Sequence, residues 1–368
     1  MPADSLRNLV VRTAETLILA IAGGLALGLT GVPGGYLSGS ILVVSAAALA
    51  GRPMLVPVPL MRTIFVLLGI SLGSVMTPEM LHGMAKYPLS IAVLLVGMSC
   101  IAVACAAYLR FVHGWDRISA YLASAPGGMS QVLVVAAEVG GDMRAIAIVQ
   151  SMRVVIIAVG LPSGLALLGL ASHASRPAGS PMTWASLDEF GILAAAAVVG
   201  AIAFHRLRFP GGLLFGAMLA SGALHGTDLM HFVLPWWATN TAAIALGGVI
   251  GARFANMPLR LFMNFIGAAV GSFAVSVAIA SLFGALVIKL MMLPVPEVMM
   301  AFAPGSVDAM MLLALSLHLD PVYVGAHHVV RIFFVSLATP FMVTREADKP
   351  KRPAGTQVPE AMAEPMDE

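Results

Sequence analysis

The sequence predicts an all-α polytopic membrane protein made of two inverted repeats. Each repeat has about five crossings plus a partial segment, and each contains one helix broken by proline and glycine. Three observations predict this class. First, 59% of the 368 residues are hydrophobic and only 10% are charged, and the mean hydropathy of +0.95 lies far above that of soluble domains. Second, twelve apolar segments follow one another with short breaks, on the scale of the ~20 residues that cross ~30 Å of hydrocarbon. Third, short blocks recur in the same order half a chain later, the mark of an internal duplication.

Taken in order, the chain begins with a short cytoplasmic segment, 1–16, in which Arg7 and Arg12 precede the first apolar run like an uncleaved signal. Membrane repeat 1, 17–170, holds segments 17–30, 34–51, 60–77, 89–110, 118–139 and 145–170. The Pro/Ser-rich stretch 171–187 is the linker. Membrane repeat 2, 188–343, holds 190–204, 211–225, 237–256, 261–288, 295–318 and 321–343. From Thr344 the chain is charged and Pro-rich, so 344–368 is expected to be a disordered cytoplasmic tail.

The repeats align through PGGYLSG (33–39) with PGGLLFG (210–216), and LGISLG (68–73) with LGGVIG (246–251). APGGMSQ (125–131) matches APGSVDA (303–309), and Asp142, Arg153 and Pro162 fall on Asp320, Arg331 and Pro340 at the same offset of 178. The basic residues move between halves. Arg52, Arg62, Arg110 and Arg117 flank some loops of the first half, and Arg206, Arg208, Arg253 and Arg260 flank the complementary loops of the second. By the positive-inside rule equivalent loops face opposite sides, although Lys289 runs against the pattern. Inversion needs an odd number of crossings per half. The segment that falls short is then either the first of each half, 17–30 and 190–204, or the one carrying the APG block. Both termini are placed in the cytoplasm.

The candidate site lies at the APG blocks. Proline lacks an amide donor and glycine a side chain, so Pro126-Gly127-Gly128 and Pro304-Gly305-Ser306 should unwind their helices. Unwound backbone at membrane depth is tolerated only inside protein or along a cavity. Paired breaks in an inverted repeat point to a transporter site near the midplane. Ser130 and Gln131 follow the first break, and Asp308 follows the second.

Arg153 and Arg331 sit deep in apolar runs, with Gln150 three residues before the first and His328 and His327 three and four before the second. These spacings put the polar groups on the arginine face of each helix. Two matched cationic faces point to an anionic solute such as a carboxylate, or to internal salt bridges with Glu138 or Asp308. Asp142 and Asp320-Pro321 read as helix starts. No metal site, cofactor or enzymatic nucleophile is expected. His327 and His328 are adjacent and diverge on a helix, and Cys100 and Cys105, five apart, lie on different sides of theirs. A net charge of +2, spread thinly, predicts no direct nucleic-acid partner. The expected partners are the lipid bilayer, a small-molecule solute and a coupling proton or cation.

The blocks LGISLGSVMTPEML (68–81), APGGMSQVLVVAAEVGGDMRAIAIVQSMRVV (125–155) and APGSVDAMMLLALSLHLDPVYVGAHHVVRIFF (303–334) resemble the AbrB-duplication family of bacterial inner-membrane proteins. The likeness spans all but the polar tail. Members carry labels of ammonia monooxygenase or of regulator of gene expression. The residues offer neither a clustered metal site nor a basic recognition element, so indirect regulation stands as the alternative to transport, and a monooxygenase as a more distant one. The family is also similar to cation/proton antiporters and anion transporters. That likeness implies alternating access, with Pro126, Gly127, Gly128, Pro304 and Gly305 as the breaks of crossing helices. The second half departs from the first at Ser306 and Asp308, so the two breaks need not do equal work, and Asp308 is where a proton or cation would couple.

Overall fold

The computed structural model describes residues 3–32, 34–74, 87–125, 129–169, 184–209, 211–227 and 229–347, and among them every regular element is helical. The first half contains α1 (Ala3–Gly28), α2 (Gly35–Leu49), α3 (Val58–Gly73), α4 (Tyr87–His113), α5 (Arg117–Ser124), α6 (Met129–Val139) and α7 (Met143–Leu167). The second contains α8 (Trp184–Arg206), α9 (Gly212–Gly226), α10 (Trp236–Gly251), α11 (Leu259–Met291), α12 (Val295–Phe302), α13 (Val307–Ser316) and α14 (Pro321–Ala347). Among the described residues five helices are long and apolar enough to cross a membrane: α1 from Arg7, α4, α7, α8 from Leu187, and α11. Their outward residues, such as Ile18, Val103, Val199 and Leu282, are exposed apolar side chains, as a lipid-facing surface requires. The molecule is an all-helical multi-pass membrane protein.

Two expectations change here. The first segments of each half, expected to be candidates for the partial crossing, belong to long helices of 26 and 23 residues. Hydropathy alone shortened them, because α1 continues through Arg12 and Glu15, and Glu15 is held by Arg52 at 3.1 Å. The helix starts at Ala3, within the stretch 1–16 expected to be an N-terminal cytoplasmic segment. The interrupted elements are the APG segments, split into α5 and α6 and into α12 and α13. At the other end α14 runs to Ala347, past the expected start of the tail. Most of the expected linker and the residues after Ala347 lie outside the described residues.

Local chemistry repeats between the halves. Gly34 and Gly211 start α2 and α9 with φ of 67° and 66°, a left-handed geometry that suits glycine. Pro57 and Pro235 precede α3 and α10. Asp142 caps α7 by accepting the amides of Arg144 and Ala145, and Asp320 caps α14 by accepting those of Val322 and Tyr323. Both side chains satisfy orphan donors of a helix start, as the sequence predicts.

The helices sort into two bundles that mix the halves. In one, α1 packs on α2, α2 on α10, α9 on α8 and on α3. In the other, α4 packs on α11 and α5, α7 on α5 and α11, and α14 on α12 and α13. The bundles meet chiefly where α7 lies on α2 and α13 on α3. Small residues allow the tightest approach. A Cβ on Gly39 would stand 2.1 Å from the Gly23 carbonyl oxygen, and one on Gly216 2.2 Å from that of Gly200. Close backbone approach of this kind holds helices together where lipid offers no hydrophobic drive.

Candidate solute site at the two helix breaks

At the second break α12 ends at Phe302, and Ala303, Pro304 and Gly305 connect it to α13. Three residues on α14 and α13 organise it. Arg331, 2% exposed, donates from Nη1 to the Ala303 carbonyl at 2.6 Å and from Nη2 to the Gly305 carbonyl at 2.7 Å. Its Nη2 also contacts Nδ1 of His328, and Nε2 of His328 meets the Met300 carbonyl at 3.1 Å. A carbonyl only accepts, so Nε2 carries the proton and Nδ1 is free to accept from the arginine. Ser306 caps α13, its hydroxyl 3.4 Å from the Ala309 amide.

The first break repeats two of these contacts, while the other carbonyl held by its arginine differs: Ala123 falls on Ala301 and not on Gly305. Arg153, 4% exposed, donates from Nη2 to the Ala123 carbonyl at 3.0 Å and from Nη1 to Ala125 at 3.4 Å. Gln150 donates to the Leu122 carbonyl at 3.0 Å. Gln150 and Leu122 match His328 and Met300, and Arg153 and Ala125 match Arg331 and Ala303, each pair at a shift of 178. Pro126, Gly127 and Gly128 lie outside the described residues, as do the side chains of Ser130, Gln131 and Glu138 at the start and end of α6.

The geometry explains how a cation survives there. Each guanidinium closes the C-terminal end of a half-helix, where unpaired carbonyls carry a partial negative charge of about half an electron. Two charge-assisted hydrogen bonds, each contributing about 1.5–3 kcal/mol, offset an insertion cost of at least ~2.5–3.5 kcal/mol. The salt bridge considered with Asp308 is not the solution. Among the described residues the one ion pair within 4.0 Å is Arg52 with Glu15. Asp308 instead has Arg253 as its electrostatic counterpart, and Arg253 sits half-buried in a 3-10 turn, Ala252–Phe254, directly after α10. In the sequence Arg253 marks only the topology. A polar residue that follows an apolar run without a linker was the available signal.

α5 and α6 of the first break pack against α14, and α13 of the second packs against α7, so the two breaks belong to one region. Each arginine keeps a buried Nε without a hydrogen-bond partner. Beside the second break lies a cavity of about 240 Å3, reached by Ala303 and Pro304 and lined further by Ile157, Phe302, Gly284 and Ser281. Ser281 is the polar side chain among its lining residues, so the space beside the second break is apolar. The polar groups are turned inward, onto helix ends, and leave apolar side chains facing the opening. Among the described residues no three His, Cys, Asp or Glu side chains gather as a metal site would need. Cys100 is exposed and Cys105 is buried against the Ser272 carbonyl at 3.2 Å, on different sides of α4 as expected.

Fold and site together define a multi-pass helical membrane protein with two interrupted helices, each closed by a buried arginine. The sequence model described as AbrB, transition state regulatory protein AbrB, matches residues 36–345, and the chain belongs to this family. It is 27% identical over 356 residues to "Uncharacterized protein YhjN" of Bacillus subtilis (strain 168), covering 88% of this chain and 91% of that protein. It is 24% identical over 278 residues to "Putative regulator AbrB" of Escherichia coli (strain K12), covering 74% of this chain and 79% of that protein.

Proposed function

We propose that the protein is a secondary transporter or exporter of a small anionic solute, working by alternating access in the bacterial inner membrane, and that it is not an oxygenase. The observation that carries the reading is the pair of buried guanidiniums at the two helix breaks, each with an unpaired Nε. Among the described residues neither arginine has a carboxylate within 4.0 Å, and a buried cation so placed favours an anion as the third participant. The apolar cavity at Ala303 and Pro304 suits a solute with an apolar body and one carboxylate. Contacts that recur at a shift of 178 support two repeats that swap roles as access alternates. The charge pattern of the loops supports their inversion.

The test uses purified protein in proteoliposomes with labelled carboxylates of graded size. Gradient-dependent, saturable uptake is expected for at least one class, and the same compound should raise the unfolding temperature in detergent. Arg153→Gln, shown to be helical and monodisperse, should lose both responses. Folded wild-type protein that moves no anion under any gradient overturns the proposal.

A second reading is favoured by the family description and by the name of the Escherichia coli relative. The protein then alters gene expression indirectly, through solute levels or a partner and without touching nucleic acid. Cells carrying Arg153→Gln separate the two. Transport and expression changes that disappear together support indirect regulation through the solute. Expression effects that persist without transport support a partner instead.

A further inference from the structure

A second polar cluster adjoins the second break, between α4 and the first turns of α14. Ser90, Tyr323 and His327 are buried. The Ser90 hydroxyl is 3.1 Å from the Tyr323 hydroxyl and in contact with Nε2 of His327. Nδ1 of His327 is 2.7 Å from the Tyr323 carbonyl. That carbonyl can only accept, so Nδ1 carries a proton and Nε2 of the neutral ring must accept. The order of donors follows: Tyr323 O–H to Ser90, and Ser90 O–H to His327. Two half-buried carboxylates stand nearby, Asp320 at the start of α14 and Glu297 in the first turn of α12, and Tyr87 donates to Oδ2 of Asp320 at 3.0 Å. The Tyr87 ring meets Tyr323 edge-on, with centroids 5.2 Å apart. From Asp320 to His327 is about 10 Å along the helix.

Packing alone does not call for these side chains. The positions matching Tyr87, Ser90, Tyr323 and His327 in the other half are Phe265, Ala268, Ala145 and Val149, all apolar. Two helices were therefore joined once with hydrocarbon and once with a one-way row of hydrogen bonds ending on an imidazole.

We propose that His327 is an internal proton-binding site, loaded from the Glu297 and Asp320 side through the hydroxyls of Tyr323 and Ser90. The step is a relay. A proton from the aqueous face binds the Tyr323 oxygen as the proton of Tyr323 passes to Ser90 and that of Ser90 passes to Nε2. Each oxygen gains one proton and loses one, and the imidazole becomes imidazolium. Both ring nitrogens then donate, so the row reverses direction and the α4 to α14 contact must re-form. Other groups around the ring are Tyr87 from α4, with centroids 6.2 Å apart, and Phe302 from α12. Arg331 on α14 itself acts on it electrostatically. The remaining helices packed on α14 bring Arg117 on α5 and Asp308 on α13, and the Glu138 side chain of α6 lies outside the described residues. Among the described residues no carboxylate stands within 4.0 Å of the ring. That this proton is the coupling ion rests on the transport reading; the binding site itself does not.

The experiment is nitrogen-15 NMR of histidine-labelled full-length protein in nanodiscs, titrated with acid and without solute, with His327→Gln to assign one of the nine histidines. The expected signal is a neutral ring protonated at Nδ1, which takes up a proton at Nε2 as the pH falls. Ser90→Ala and Tyr323→Phe should slow that exchange roughly tenfold, as removal of one hydrogen bond from the path implies, and Ser90→Thr should restore it. A ring that stays neutral while the protein remains helical overturns the proposal. So does exchange that is unchanged in both hydroxyl variants. Proton uptake without any anion flux would remove the transport reading and leave the site. Anion flux with an inert His327 would do the reverse.

Discussion

At the scale of single residues, the two breaks show one solution reached with different side chains. His328 and Gln150 occupy matched positions, and each donates to a carbonyl three residues before the alanine that its arginine holds. An amide offers the same donor with an acceptor beside it. His328→Gln should therefore cost less than about 1 kcal/mol, whereas His328→Leu leaves the Met300 carbonyl and one arginine hydrogen without partners, at about 1–3 kcal/mol. Thermal unfolding of the two variants in detergent checks the difference; equal losses would mean the imidazole matters only by its shape. The sequence made Arg153, Arg331, Gln150 and His328 legible as one face, because helical spacing sets that face. It did not say what the face meets. The carbonyls of Ala123, Ala303 and Gly305 come from a chain segment 26 to 30 residues away, and no local rule fixes such a pairing. Arg253 stayed hidden for the same reason, since its link to Asp308 crosses from one bundle to the other.

Among elements, the closest contacts are those between helices joined through glycine. α1 and α2 touch through Gly23 and Gly39, and α8 and α9 through Gly200 and Gly216. Nothing can be inserted there without moving a backbone. Gly39→Leu should destabilise the protein by at least about 1–3 kcal/mol, the cost of an overpacked core. Gly160, inside α7 with open space around its Cβ position, provides the control. Gly160→Ala should gain up to about 1 kcal/mol from helix propensity. Unfolding temperatures of both variants in one detergent decide the matter, and a Gly39→Leu protein as stable as wild type would show that α1 is free to shift. Breaks and caps were legible at this scale, because Pro304, Asp142 and Asp320 act on their own neighbours. Helix lengths were less so: α1 runs through Arg12 and Glu15, charges that hydropathy counts against a span.

For the whole molecule, the recurring blocks are legible in the sequence, but the way the two halves of the chain interleave is not. A matched offset reveals that two segments are alike, and does not reveal that α2 packs on α10 of the other half or α9 on α3. The resulting two bundles leave a half-open space of about 440 Å3 between α9 and α14, lined by Phe215, Met218, Gly222, Gly325, Ala326 and Val329. Alternating access requires one bundle to move against the other, and α14 carries Arg331, so this space must change shape if α14 moves. Ala326→Phe places a ring in it. The added side chain fills room already present, so the unfolding temperature in detergent should stay within a few degrees of wild type. Flux of the best carboxylate in proteoliposomes should fall at least ~10-fold, because the bundles would be wedged in one arrangement and the other state depopulated by more than ~1.4 kcal/mol. Binding of the same carboxylate, read by its thermal shift, should survive in the state that remains. Flux at the wild-type rate from a stable Ala326→Phe protein would mean that α9 and α14 keep a fixed separation, and the moving boundary would have to be sought where α7 lies on α2.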